Sequence, residues 1–132
     1  MCFLIIKQSR DLMKQENIIL NKSYAFGLRV LKLYLHLKKK KVDGGLCSQL
    51  LHSGTSIGAN VEEAVGGASR KDFINKLQIA YKEGRETRYW LRLLMDSEIL
   101  EKKLADSFLK DCEEIIKILT VILNSSKGKG NS

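Results

Sequence analysis

The chain contains no proline. Sheet proteins and loop-rich folds ordinarily draw on proline for turns and edge strands, whereas a bundle of long helices has no use for it. Cysteine occurs three times, at Cys2, Cys47 and Cys112. An odd number of widely spaced cysteines argues against a disulfide framework and fits a reducing cytoplasm, with Cys47 and Cys112 serving as small buried hydrophobes. No stretch approaches the roughly 18 apolar residues that a membrane span requires. The opening Met1-Cys2-Phe3-Leu4-Ile5-Ile6 is too short for the apolar core of a signal peptide, and no basic segment precedes it.

Chemistry is equally sparse. His36 and His52 are the only histidines, and neither follows a glutamate by three residues, so the Glu-x-x-His pairs of a dinuclear metal bundle are missing. Glu62, Glu63, Glu83 and Glu86 could gather near a bundle midpoint, but carboxylates alone make a poor transition-metal site. Asn60 and Glu63 read instead as buried polar groups that fix helix register. There is no Walker loop, dinucleotide fingerprint or Cys-x-x-Cys pair. Ser53-Gly54-Thr55-Ser56 has no activating base beside it and reads as close helix packing. No catalytic residue, metal or cofactor is expected.

What the chain has is helical phase. At 132 residues it is the length of one domain with a sizeable core. Leu46, Leu50, Ser53, Ile57, Val61 and Ala64 keep the three- and four-residue steps of a buried stripe. Gly54, Gly58 and Ala59 make that helix thin enough for a close neighbour. A first helix is expected from the N-cap Ser23, with Tyr24, Gly27, Leu28, Leu31, Tyr34 and Leu35 on one face and Lys38 to Lys41 at its end. Asp43-Gly44-Gly45 reads as a turn. The second helix covers about Leu46 to Val65. Ser69, with Asp72 three residues on, starts a third helix whose seam is Phe73, Leu77, Ala80, Gly84, Thr87, Leu91 and Leu94. A fourth runs from about Glu101 to Asn124 with Leu104, Phe108, Cys112, Ile115, Leu119 and Ile122 inward. Short connections make sequence neighbours antiparallel, an all-α up-down-up-down four-helix bundle. The expected plan is an N-terminal extension over 1–20, the bundle over 21–126 and a disordered tail over 127–132.

Two surface features point to partners. The third helix is apolar beyond its seam, and Ile79, Tyr89, Trp90 and Leu93 are candidate contacts with a second copy. The formal net charge is +8, which attracts polyanions. Arg85, Arg88 and Arg92 recur at steps of three and four as one basic ridge. Lys38, Lys39, Lys40, Lys41, Lys71, Lys102 and Lys103 complete the candidate nucleic-acid contacts. The competing reading pairs these arginines with Glu83, Glu86, Asp96 or Glu98.

The motifs together resemble a known family. Lys22-Ser23-Tyr24-Ala25-Phe26, the run Ser53-Gly54-Thr55-Ser56-Ile57-Gly58-Ala59-Asn60 with Glu63-Ala64, Asp72 through Ala80, Lys82-Glu83, Glu86-Thr87, Tyr89-Trp90-Leu91 and Ser125-Ser126-Lys127 resemble the bacterial four-helix proteins encoded by intervening sequences of 23S ribosomal RNA genes. They are also similar to Avd, the accessory protein of diversity-generating retroelements. The resemblance implies a homopentameric barrel with a basic surface; in the Avd branch that barrel binds nucleic acid and a reverse transcriptase, while most other members have no established activity. It supplies no catalytic residues. Gly84 departs from the usual alanine. The first dozen residues have no counterpart, so Met13 is the expected natural start.

Overall fold

Long runs without proline, broken only where glycine and serine cluster, leave the backbone one economical way to pair its own polar groups, the helix. The computed structural model describes residues 2–67 and 69–130. Among these it contains four helices and no strand: α1 (Cys2–Lys39), α2 (Gly44–Val65), α3 (Arg70–Asp96) and α4 (Lys102–Gly130). None of them is long and apolar enough to cross a membrane.

The helix boundaries show what local chemistry decides. Ser69 caps α3 with its hydroxyl accepting from the Asp72 amide at 3.1 Å, as its spacing predicts. Asp43 caps α2, accepting from the Leu46 amide at 3.0 Å, so Gly44 and Gly45 open the helix instead of forming the turn. The chain reverses one step earlier. Lys41 takes φ of 60°, and the Val42 and Lys41 amides donate to the Leu37 and Lys38 carbonyls at 3.1 and 3.0 Å, closing α1 with paired C-terminal bonds. Ser23 is not an N-cap. It lies inside α1, fully buried, its hydroxyl donating to the Leu20 carbonyl at 3.3 Å. Helix α1 therefore runs unbroken through the expected extension, and α4 continues to Gly130 through the start of the expected tail; Asn131 and Ser132 lie outside the described residues.

Each sequence neighbour packs against the next, and α4 returns to α1. Ser23 meets Gly58 while Val30 meets Gly54. Lys76 reaches Glu63 while Gly84 lies near Ile57. Arg70 donates to the Ser126 carbonyl while Cys112 donates to that of Gly84. Lys22 pairs with Glu114 while Arg29 donates to Ser107. Numbers rise on one helix as they fall on the other, so all four seams are antiparallel.

The core holds the α2 and α3 stripes except at their first members, Leu46 and Phe73, which are half-buried at the helix starts. Leu50, Ser53, Ile57, Val61 and Ala64 are buried, as are Leu77, Ala80, Gly84, Thr87, Leu91 and Leu94. Two faces differ from expectation. On α1 the bundle buries Ile19, Ser23, Phe26, Val30, Leu33 and Leu37, and leaves Tyr24, Leu28, Leu31 and Leu35 exposed. Both sets keep helical spacing, and the bundle takes the face that puts Phe26 against Phe108. On α4, Leu104 is 37% exposed and Ala105 is fully buried in its place, three residues before Phe108 and so in step with the buried stripe.

Candidate nucleic-acid interface

The antiparallel order decides which cations meet. The C-terminal end of α1 lies at the same end of the bundle as the start of α4 and the close of α3. Lys38, Lys39, Lys40, Lys41, Arg92, Lys102 and Lys103 are therefore grouped there, all exposed. Lys38 and Lys39 also line a wide open groove of about 670 Å³ with Lys32, Leu35 and His36. Lys32 and His36 belong with this cluster, and their place within two turns before the lysine run was the available sequence signal. Lys71 stands at the start of α3, at the opposite end. Its 21 residues of separation from Arg92 amount to about 30 Å along the helix.

The expected single arginine ridge is divided. Arg88 turns to α4 and pairs with Glu113 at 3.1 Å. Arg85 lies over the Tyr81 ring, 6.0 Å from its centroid, and donates to the tyrosine oxygen at 3.3 Å. Lys102 pairs with Asp106 at 2.7 Å, although its side chain remains 80% exposed. Among the described residues no ion pair holds Lys38 to Lys41, Lys71, Arg85, Arg92 or Lys103. The end cluster thus keeps its charge outward, while the middle of α3 spends part of its charge on packing.

The candidate contact residues of α3 do reach the surface. Ile79, Tyr89 and Leu93 are exposed, and Trp90 is half-buried with its ring edge-on to Tyr89, centroids 5.2 Å apart. The sequence missed a second apolar surface. Tyr24, Leu28 and Leu31 of α1 border a groove of about 310 Å³ floored by Gly27, Thr55, Gly58 and Ala59. The absence of side chains on the two glycines makes the groove.

The polar residues are placed differently from expectation. Glu63 is exposed and pairs with Lys76 at 2.9 Å, so it is not a core group. Asn60 is half-buried and donates to the Ser56 carbonyl of its own helix at 2.8 Å. Ser53 and Thr55 likewise donate to Leu50 and Leu51 one turn back, at 3.4 and 2.7 Å. Among the described residues no group of three His, Cys, Asp or Glu side chains is placed to hold a metal ion. Cys47 and Cys112 are buried free thiols. Burial, with a smaller contribution from Glu113, pushes Cys112 up to about 12, so at neutral pH it remains a protonated, weakly nucleophilic thiol.

Comparisons with known proteins agree with this architecture. Residues 15–121 match the family model described as 23S rRNA-intervening sequence protein. A crystal structure at 1.70 Å resolution, of a protein with unknown function from the S23 ribosomal protein family of Bacteroides thetaiotaomicron VPI-5482, superposes with a TM-score of 0.81. It is 43% identical and covers 83% of this chain and 98% of its own. No curated protein matches the sequence. With four-fifths of its residues inside that match and the same helical fold in a relative this similar, the chain belongs to the 23S rRNA-intervening sequence protein family.

Proposed function

We propose that this protein is a non-catalytic, basic helical bundle that self-associates and binds RNA or DNA through phosphate contacts. The single observation that carries the reading is the cluster of outward cations at one end of the bundle: Lys38 to Lys41, Arg92 and Lys103 in no ion pair among the described residues, and Lys102 largely exposed. A net charge of +8 supports it, because release of counterions from a polyanion drives association in proportion to the phosphates neutralised. Lysine-rich contacts of this kind track the backbone and carry little base information. Assembly, as the homopentameric barrel the family resemblance implies, repeats the cluster once per subunit.

Filter binding of structured RNA at two ionic strengths tests the proposal. Affinity falls steeply as salt rises, with little dependence on base sequence. Reversing Lys38, Lys39, Lys40 and Lys41 to glutamate abolishes binding while the helical circular-dichroism signal stays unchanged. Absence of binding at low salt refutes the reading. A second reading, a scaffold for a protein partner such as a reverse transcriptase or a ribosome component, is favoured by the exposed apolar stripe of α1. Its mark is association that salt does not weaken.

A further inference from the structure

Among the described residues one buried side-chain oxygen has no hydrogen-bond partner. Glu83 is half-buried on the α2 side of α3, and its Oε2 is shielded from solvent with no hydrogen-bond donor reaching it. An ionised oxygen in that position gives up its hydration and receives nothing in return. One turn further on, Glu86 Oε1 accepts from the Trp90 indole N–H at 3.4 Å. Two carboxylates three residues apart on a helix repel each other. A single proton on Glu83 removes both faults: the orphan oxygen becomes a donor, and Glu86 becomes its acceptor.

We infer that Glu83 and Glu86 share a proton across one turn of α3, forming a pH-responsive latch that holds Trp90 at the α2–α3 seam. The charged neighbours fit this assignment. From α2, His52 is the titratable group that acts on Glu83. On α3 itself, the Thr87 hydroxyl donates at 2.7 Å to the Glu83 backbone carbonyl, not to its carboxyl. Arg88 is five residues on, about 140° around the helix, and is held by Glu113 of α4. Among the described residues no ion pair joins a lysine or arginine, Lys82 one turn before Glu86 included, to either carboxyl. Burial chiefly, then the Glu86 charge, raises the Glu83 pKa above its ordinary 4.5, while His52 opposes the rise.

The sign follows. A carboxyl whose folded pKa lies above its unfolded value contributes stability that is fully present below the unfolded pKa and is lost as pH rises through the folded one. The closed latch therefore belongs to the acidic side. Its opening leaves a charged, buried oxygen that loosens the α2–α3 seam and releases the indole. This holds whether or not the bundle binds nucleic acid.

Trp90 is the only tryptophan in the chain, so it reports the latch directly. Emission of the full-length protein is followed from about pH 4 to about pH 9, a range that spans the carboxyl and imidazole titrations. Protein concentration is held where sedimentation gives one species. The expected result is one transition with a midpoint above that of an exposed glutamate. Glu83→Gln supplies a donor that cannot ionise and removes the transition. His52→Gln keeps the transition and moves its midpoint upward, because the imidazolium that favours the carboxylate is gone. A flat wild-type profile, a transition that survives Glu83→Gln, or one that disappears in His52→Gln overturns the inference. Should Glu83→Gln fail to fold, carbon-13 carboxyl resonances of the wild type decide. A glutamate titrating late, in step with the indole N–H, supports the latch; ordinary titration of every glutamate overturns it.

Discussion

Glycine acts in opposite ways at two places on the α1–α2 seam. A Cβ built on Gly54 stands 2.7 and 2.9 Å from the two methyl carbons of Val30 and 3.2 Å from its Cβ. Valine in a helix has one strongly preferred rotamer, so it cannot swing away. Helix propensity favours alanine over glycine by about 1 kcal/mol, but overpacking here costs about 1–3 kcal/mol. Gly54→Ala should therefore lower the denaturation midpoint by a net loss of up to about 2 kcal/mol, and Val30→Ala in the same chain should recover part of it, a coupling that a double-mutant cycle measures. Gly27 has only the Thr55 Cα within reach, at 4.0 Å. Gly27→Ala should raise stability by up to about 1 kcal/mol. The small-residue run of α2 made Gly54 legible in the sequence. Lys41 was not legible: its left-handed backbone is set by the way α1 must end to reach Asp43, and the nearby Gly44-Gly45 pair draws attention away from it.

Among the helices, legibility depended on how many apolar faces each one carries. Helix α2 has one stripe of small and branched residues in phase, and α3 has one such seam that is cleaner than the apolar residues around it; the structure buries the two stripes from Leu50 to Ala64 and from Leu77 to Leu94. Helix α1 has two. Its spacing alone does not choose between Leu28, Leu31 and Leu35 on one side and Phe26, Val30, Leu33 and Leu37 on the other. Tertiary packing chooses, through Phe26 edge-on to Phe108 at 6.3 Å and Arg29 over the same ring at 4.1 Å. The choice is testable with two leucines on either side of Lys32. Leu33 is 4% exposed and Leu31 is 40% exposed. Leu33→Ala should cost about 2–5 kcal/mol, the usual range for a buried leucine. Leu31→Ala should stay within about 0.5 kcal/mol, as surface substitutions do. Urea unfolding of the two variants under conditions that keep the chain monomeric reads the difference; equal losses would place the second stripe inside the fold.

At the scale of the whole molecule, sequence gave the amount of charge but not its location. Counting could not tell that Arg88 would turn to Glu113 or that Lys71 would lie about 30 Å from the main cluster, because both follow from which helix ends meet. Nor could it separate apolar residues that close the core from those that face outward. The structure leaves two unlike apolar surfaces on one chain: the ridge of Tyr89, Trp90 and Leu93 on α3 and the groove beside Tyr24, Leu28 and Leu31 on α1. Unlike surfaces that fit each other produce a head-to-tail contact, which closes into a ring when the rotation permits. This makes a sharp prediction for the proposed assembly. Tyr89→Ser with Leu93→Ser should destroy the ridge, and Leu28→Ser with Leu31→Ser should destroy the groove. Each variant alone should sediment as a monomer with its helical signal intact. Mixed in equal amounts, the two should form a heterodimer and nothing larger, since only one intact ridge and one intact groove remain to meet. A ridge variant that still forms the full assembly would remove α3 from the interface. The same monomers test the link to nucleic acid: without repeated cation clusters, avidity falls by about 10²-fold or more, and the salt dependence shrinks with the number of phosphates engaged.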